Sequence, residues 1–492
     1  MGRAVAVGSA IFLAIGGFFF GYDSGIITST IAVPEFERYF NNPDDQTVGG
    51  IVSAFQGGAM AGTIFNMLFA HKLGRKMTIF WGSTVGFIGA ALQGGAAAMA
   101  MLIIGRFIGG ASVGMLTSTI PMYAAELVEA KYRGMLSGLL QWFLSIGFLV
   151  AYWLGYGLSF TSGAVQWRFP LAFQALPALI LMGGIWFLQE SPRWLVEKDR
   201  HEEARAALFK LRNDGSSDTE HLIELELKEI IDVVAADRLH NQTSWKTIFT
   251  KPSWRKRLLL GCGVQAFGPL SGINVINYYA PRIYEIINIQ VQESLLIQGI
   301  SGALSVVYCT IMLLTIDKIG RVKPLILSAV GLAAALLANA VMGQYLDGAT
   351  AAQLRAMVAM NFVFSLFYTP LGVISWVYPA EIFPVEVRSL GNAITTFTNW
   401  TVNLIFAQFS PAALTSIEFR YFYVFFVFNI IALLSYIFFF PETKGRTLEQ
   451  MDELFGDALV PHALQDPEGA MAAEKEMGLG VERVETRDSN RV

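Results

Sequence analysis

Asp23 and Arg106 each stand inside a long apolar run. At such a depth in a bilayer an unpaired charge costs at least ~2.5–3.5 kcal/mol. Both side chains should therefore face the protein interior, where they can pair. The chemistry open to such a pair is the loading and release of a proton. Desolvation raises a carboxylic acid's pKa and a neighbouring guanidinium lowers it, so movement between two environments can change the protonation state. A static structural ion pair is the other reading of the same two residues.

Charges also gather at the ends of the apolar runs, and they repeat. Tyr123-Ala-Ala-Glu126 is followed by Arg133, and Tyr378-Pro-Ala-Glu381 by Arg388 at the same spacing. Gly74-Arg75-Lys76 has its counterpart in Gly320-Arg321 with Lys323, and Glu190-Ser-Pro-Arg193 in Glu442-Thr-Lys-Gly-Arg446. The pairings keep one order and one offset of about 250 residues, which marks the chain as two related halves. Transporters built from such repeats place their substrate near the bilayer midplane between the halves.

The elements that carry these residues are hydrophobic helices. The chain has 492 residues, 54% hydrophobic and only 15% charged, where a soluble domain carries roughly 25% charged residues. Apolar runs fall near 5–28, 48–70, 77–97, 99–122, 135–159, 169–189, 258–280, 294–316, 324–346, 354–379, 390–411 and 420–440. About twenty such residues at ~1.5 Å each cover a hydrocarbon core of ~30 Å, so the runs predict twelve spanning helices. The first run is too long for a signal-peptide core and reads as a retained helix.

Basic residues cluster in alternate connections: Lys72, Arg75 and Lys76; Lys131 and Arg133; the segment from Arg193 to Arg257; Lys318, Arg321 and Lys323; Arg388; Lys444 and Arg446. The positive-inside rule puts that side, and with it both termini, in the cytosol. The domain plan is a six-helix bundle over 1–189, a cytosolic helical linker over 190–257, a second bundle over 258–440 and a cytosolic tail over 441–492. Ser217-Asp-Thr-Glu220 in the linker reads as a capping box, and Ile223, Leu227, Ile230 and Val234 follow at helical spacing. Asn241-Gln-Thr243 matches a glycosylation sequon but lies in this cytosolic segment, so it should stay unmodified. The tail from about Asp457 is polar, rich in Glu, Ala and Gly, and expected to be disordered.

Several function classes drop out. Net charge is -4 and no large basic tract appears, so nothing points to nucleic acid. Cys262 and Cys309 sit in apolar runs and read as packing residues, although a disulfide is geometrically conceivable. The sequence offers no arrangement of nucleophile, base and oxyanion donor, no metal-ligand cluster and no phosphate loop. An enzyme is not expected, and neither is a cofactor.

Together these residues resemble the sugar porters of the major facilitator superfamily, over nearly the whole chain, and resemble in particular proton-coupled sugar transporters of the fungal type. The matching stretches are Gly21-Tyr-Asp23, Gly74-Arg-Lys76, Gly105-Arg106, Pro121-Met-Tyr-Ala-Ala-Glu126, Arg133-Gly134 and Glu190-Ser-Pro-Arg-Trp-Leu195. They continue with Ser271-Gly-Ile-Asn274, Tyr278-Tyr279, Asp317-Lys-Ile-Gly-Arg321, Asn399-Trp400 and Pro441-Glu-Thr-Lys-Gly-Arg446. The resemblance implies an all-α membrane protein of twelve transmembrane helices in two pseudo-symmetric six-helix bundles that rock about a central cavity. It implies proton-coupled symport of a hexose, a pentose or a related polyol or acid sugar, because aspartate at the place of Asp23 marks the proton-coupled members. Arg106 is its partner in that reading. A facilitated-diffusion uniporter is one alternative. A non-transporting nutrient receptor is another, although receptors of this kind carry long tails. The implied setting is the plasma membrane, with sugar and proton as the small partners and a monomer as the functional unit.

The same resemblance assigns substrate contact to Gln141, Gln265, Asn274, Tyr278, Tyr279, Trp376 and Asn399. Amides suit that role, since they offer donors and acceptors to a polyol without a fixed charge, and an indole face stacks on sugar C–H groups. An interhelical hydrogen bond is the competing role for each polar residue. Arg75, Glu126, Arg133, Glu190, Arg193, Arg321, Glu381 and Arg388 are implied to form ion pairs across a cytosolic gate, besides fixing topology. The departures from the family pattern fall at the pocket and the hinges. Gly268-Pro269 stands where hexose carriers have paired glutamines, and Ser305 where many have asparagine. Gly372-Val-Ile-Ser-Trp376 lacks two prolines, which should stiffen that helix, and His71 replaces a loop aspartate. An ordinary glucose pocket is not expected.

Overall fold

The computed structural model describes residues 2–127, 133–212, 218–240, 246–346, 349–384, 387–444, 451 and 454–456. Met1–Lys444 forms one compact unit and Gly445–Val492 a second. The expected capping residue Ser217, the sequon and nearly all of the tail lie outside the described residues.

Helices account for almost all of the described residues, with no strand among them. Water is absent from a bilayer core, so each backbone N–H must find its acceptor within its own segment, and a long apolar run is thereby forced to be helical. Ten segments are long and apolar enough to cross a membrane. One of them, Leu390–Phe438, contains two spans, Arg388–Ile417 and Phe422–Phe438, separated by a turn at Glu418–Tyr421. The helix Arg75–Gly94 supplies one more, its apolar character diluted by Arg75, Lys76 and several glycines. The total is the twelve expected.

In chain order the spans are 1 (Gly2–Ala32), 2 (Asp45–Leu73), 3 (Arg75–Gly94), 4 (Met99–Leu127), 5 (Arg133–Leu158), 6 (Val165–Phe187), 7 (Pro252–Ile286), 8 (Val291–Ile319), 9 (Val322–Gly343), 10 (Ala351–Ile382), 11 (Arg388–Ile417) and 12 (Phe422–Phe438). Alternate connections, those that hold most of the basic residues, share one side, here the basic face. Large apolar side chains such as Leu259, Leu314, Phe409 and Phe438 point outward, as a bilayer solvent allows.

Two features of the packing position the site. Spans 2 and 4 meet backbone to backbone: a Cβ on Gly110 would lie 2.0 Å from the Phe55 carbonyl oxygen, and one on Gly58 would lie 1.9 Å from that of Phe107. Only glycine permits that approach, and it brings Arg106 on span 4 beside span 1. Span 7 is broken instead of continuous. Its first part ends at Leu270, Gly272 takes the left-handed conformation at φ 93°, and a second helix starts at Ile273. The break re-aims Asn274 and the tyrosines that follow. Span 10 runs unbroken through Pro370 and Pro379.

The halves touch along several spans. Thr28 on span 1 donates to the Asn277 carbonyl on span 7 at 2.9 Å, and the Trp142 indole on span 5 donates to Thr310 on span 8 at 2.9 Å. Phe20 stacks edge-on against Trp400 at 5.4 Å. Beyond span 6 the chain forms helices at Pro192–Glu197, His201–Arg212 and Asp218–His240. They bury Trp194, Leu195, Leu208, Ile223, Leu227 and Val234 against one another, with Ile230 packed alongside; Ile223, Leu227, Ile230 and Val234 are the periodic stripe visible in the sequence.

Candidate proton and substrate site

Asp23 and Arg106 meet in the interior of the first half, 0% and 1% exposed. Arg106 Nη1 donates to Asp23 Oδ1 and also lies 3.3 Å from the Asp23 carbonyl oxygen. Its guanidinium covers the Phe55 ring at 4.5 Å, so an aromatic face supplies part of the cation's surroundings. Asp23 Oδ2 is buried and has no hydrogen-bond partner among the described residues. The absence of a side chain on Gly109 keeps space beside it, since a Cβ there would come within 3.4 Å. A buried carboxylate oxygen left without a donor costs about 1–3 kcal/mol, and that cost favours the neutral acid, with the proton on this oxygen. The arrangement can hold a proton on Oδ2 while Oδ1 keeps its arginine.

Polar side chains that the sequence did not single out surround this pair. Ser24 and Gln56 are both buried. Tyr278, from span 7 of the second half, is buried within reach of Ser24, Gln56 and the two charges. Gln56 lies in an apolar stretch of span 2, and a polar amide there is the signal that could have found it.

The amides of the second half form two linked pairs between spans 7 and 11. Asn399 Nδ2 donates to Gln265 Oε1 and to the Gln265 carbonyl, each at 2.9 Å, while Gln265 Nε2 donates to the Ser375 carbonyl on span 10 at 2.8 Å. Asn274 Nδ2 donates to Asn403 Oδ1 at 2.6 Å. Asn403, missed by sequence reasoning, lies one helical turn beyond Asn399, so spacing could have revealed it. Tyr279 is fully buried, with its hydroxyl given to the Ala407 carbonyl at 2.6 Å. It ties span 7 to span 11. Gln141 and Trp376 are half-buried, on spans 5 and 10. A Cβ on Gly268 would stand 3.6 Å from Asn399 Nδ2, so that position borders the amide cluster. Ser305 shares a hydrogen bond with Ser365 at 3.1 Å.

At the basic face two of the expected gate arginines pair within their own halves. Arg75 grips Glu126 with two hydrogen bonds of 2.9 and 2.8 Å, and Arg321 grips Glu381, the nearest at 2.7 Å. Both pairs stay within one half. The reason is local: span 3 begins beside the end of span 4, and span 9 beside the end of span 10, so each arginine meets its own half's glutamate first. Arg193 is 3.7 Å from Glu197, and Arg388 Nε donates to the Phe383 carbonyl at 3.2 Å. The side chain of Arg133 lies outside the described residues.

Glu190 and Glu442 act as matching caps. Glu190 accepts the backbone N–H of Ser191 at 2.9 Å and of Arg75 at 3.2 Å, at the start of span 3. Glu442 accepts those of Arg321 at 2.9 Å and Val322 at 3.0 Å, at the start of span 9. Anionic side chains are favoured at helix N-termini. Yet the two titrate in opposite directions. Burial pushes Glu190 above the ordinary carboxylate range, against its backbone donors and Arg75. Burial also pushes on Glu442, but the N–H groups of Arg321, Val322, Lys444 and Thr443 outweigh it and hold that carboxyl below the range.

Comparison with known proteins agrees with this architecture. The chain is 36% identical over 469 residues to the MFS-type transporter criB of Aspergillus cristatus, covering 94% of this chain and 96% of that protein. It is 33% identical over 462 residues to a high-affinity glucose transporter of Kluyveromyces lactis, covering 90% and 84%. Its fold matches the proton:xylose symporter XylE bound to 6-bromo-6-deoxy-D-glucose with a TM-score of 0.79 at 23% identity, over 92% of this chain and all of that one. The profile of the family described as "Sugar (and other) transporter" matches residues 9–455, and the chain belongs to that family of multi-pass membrane transporters.

Proposed function

We propose that the chain carries out proton-coupled symport of a monosaccharide, or of a related polyol or acid sugar, by alternating access at the plasma membrane. The basic face is cytosolic and both termini lie there, by the distribution of Lys and Arg. The functional unit is a monomer. The observation that carries proton coupling is the divided role of Asp23, with one oxygen held by Arg106 and the other buried without a partner. The Gln265, Asn274, Asn399 and Asn403 amides, with Gln141 and Trp376, are the sugar-facing set. Asn399 now bonds Gln265 and Asn274 bonds Asn403, so a polyol would exchange with bonds already made and no charge need be buried. Names of related proteins support the substrate class: one is a glucose transporter and the matching fold is that of a proton:xylose symporter.

The ion pairs Arg75–Glu126 and Arg321–Glu381 brace the cytosolic ends within each half, and with Arg133, Glu190, Arg193 and Arg388 they make up the cytosolic gate. The deciding experiment is uptake of labelled hexoses, pentoses, polyols and acid sugars in cells lacking their own carriers. Accumulation above the external concentration that a protonophore abolishes is expected. Uptake that stops at equal concentrations, with or without a protonophore, would replace symport by facilitated diffusion.

A further inference from the structure

The face opposite the basic one carries a polar bridge between the two halves. Asp45, at the start of span 2, is paired with Arg282 at the end of span 7, and its other oxygen accepts the Thr415 hydroxyl of span 11 at 2.6 Å. Arg282 Nη2 also donates to Thr415 at 2.9 Å, which closes a three-membered ring. Two of its members belong to the second half and one to the first. Deeper along the same helices, Ser53 donates to Gln408 Oε1, and Gln408 Nε2 donates to the Gln46 carbonyl at 3.3 Å. Spans 2 and 11 approach so closely there that a Cβ on Gly49 would lie 2.4 Å from the Gln408 carbonyl oxygen.

We propose that the Asp45–Arg282–Thr415 ring, with the Gly49–Gln408 contact beneath it, is a latch that holds this face shut and must break each time the face opens. The two halves cannot separate at this face with those bonds intact, because the ring and the second contact both join span 2 to span 11. The latch is weak by construction. Arg282 and Asp45 keep 35% and 27% of their side-chain surface exposed, so solvent screens the pair and its worth falls in the range of about a two- to fivefold bias in population. That suits a gate that must open every cycle: a buried pair of the Asp23–Arg106 kind would hold it closed. The inference rests on the alternating-access part of the reading above and not on the substrate or the proton.

The test reads the gap directly. Spin labels are placed at exposed Ser162 and Ala352, one in each half near this face, in a background with Cys262 and Cys309 replaced by serine. Distances are measured on purified full-length protein without substrate at one pH, so a wrong sugar or the absence of proton coupling does not alter the outcome. Asp45→Asn and Arg282→Gln should each raise the ratio of long to short distances about two- to fivefold, and the double variant should add little to either single one. Gly49→Ala, which inserts an atom between spans 2 and 11, should shift the ratio in the same direction. Thr415→Val supplies the same readout should a charge variant fail to fold. Unchanged distances in these variants, or effects of Asp45→Asn and Arg282→Gln that simply add, would overturn the latch.

Discussion

Arg106 holds one oxygen of Asp23 and leaves the other, equally buried, without a donor. An ion pair built only for structure gains by satisfying both oxygens, since each unpaired buried acceptor costs about 1–3 kcal/mol. A group that must take up a proton needs the opposite arrangement, with one site kept open while the charge stays compensated at the other.

Asp23→Asn should therefore uncouple transport without emptying the membrane of protein. A potential of ~100 mV is worth ~2.3 kcal/mol per charge, and two pH units add ~2.7 kcal/mol. One proton per sugar could then sustain a gradient of several thousandfold, at ~1.4 kcal/mol per decade. The variant should lose accumulation and keep exchange of labelled for unlabelled substrate. Full accumulation by Asp23→Asn would reduce the pair to a structural role.

Asn274→Ala removes the donor to Asn403 and one proposed sugar contact. Apparent KM should rise about three- to tenfold, the value of one or so neutral hydrogen bonds, with the amount of protein in the membrane unchanged. Initial-rate uptake against substrate concentration reads this, and an unaltered KM would remove Asn274 from the site.

Gly268 borders Asn399, at a position where the family resemblance implies glutamine in hexose carriers. Restoring amides with Gly268→Gln and Pro269→Gln should strengthen competition by glucose relative to the chain's preferred substrate. The measurement is inhibition of labelled uptake by unlabelled glucose. Native affinity for glucose already in the micromolar range would show that the missing amides do not set specificity.

The two capping glutamates should respond oppositely to pH. Glu442 has its carboxyl held below the ordinary range, so its contribution to stability is present above the unfolded pKa and is lost as pH falls through the lower folded value. Glu190 is raised by burial, so the fold favours its protonated form. Its contribution is complete below the unfolded pKa and is lost as pH rises through the folded one. Glu442→Gln should lower the melting temperature more at neutral than at acid pH. Glu190→Gln should remove a destabilisation that grows with pH. Melting curves of the purified variants from pH 4 to 8 give the two slopes, and equal slopes would refute the distinction.

Much of this molecule was legible in its residues. The twelve spans follow from apolar length, because a bilayer leaves the backbone no partner but itself. The two-fold plan follows from the repeated Glu–Arg stretches, and the Asp23–Arg106 pair from the expense of a lone charge at depth. The partners of the other polar residues were not legible. Which amide Asn399 meets, whether Tyr279 ties span 7 to span 11, and whether Arg75 reaches Glu126 depend on how each helix is rotated and where it breaks. Those quantities are set by contacts hundreds of residues apart: glycines that let spans 2 and 4 touch, and Gly272, whose left-handed turn re-aims everything after it. Composition and periodicity place a residue along its helix, and only the packed bundle decides which neighbour its side chain finds.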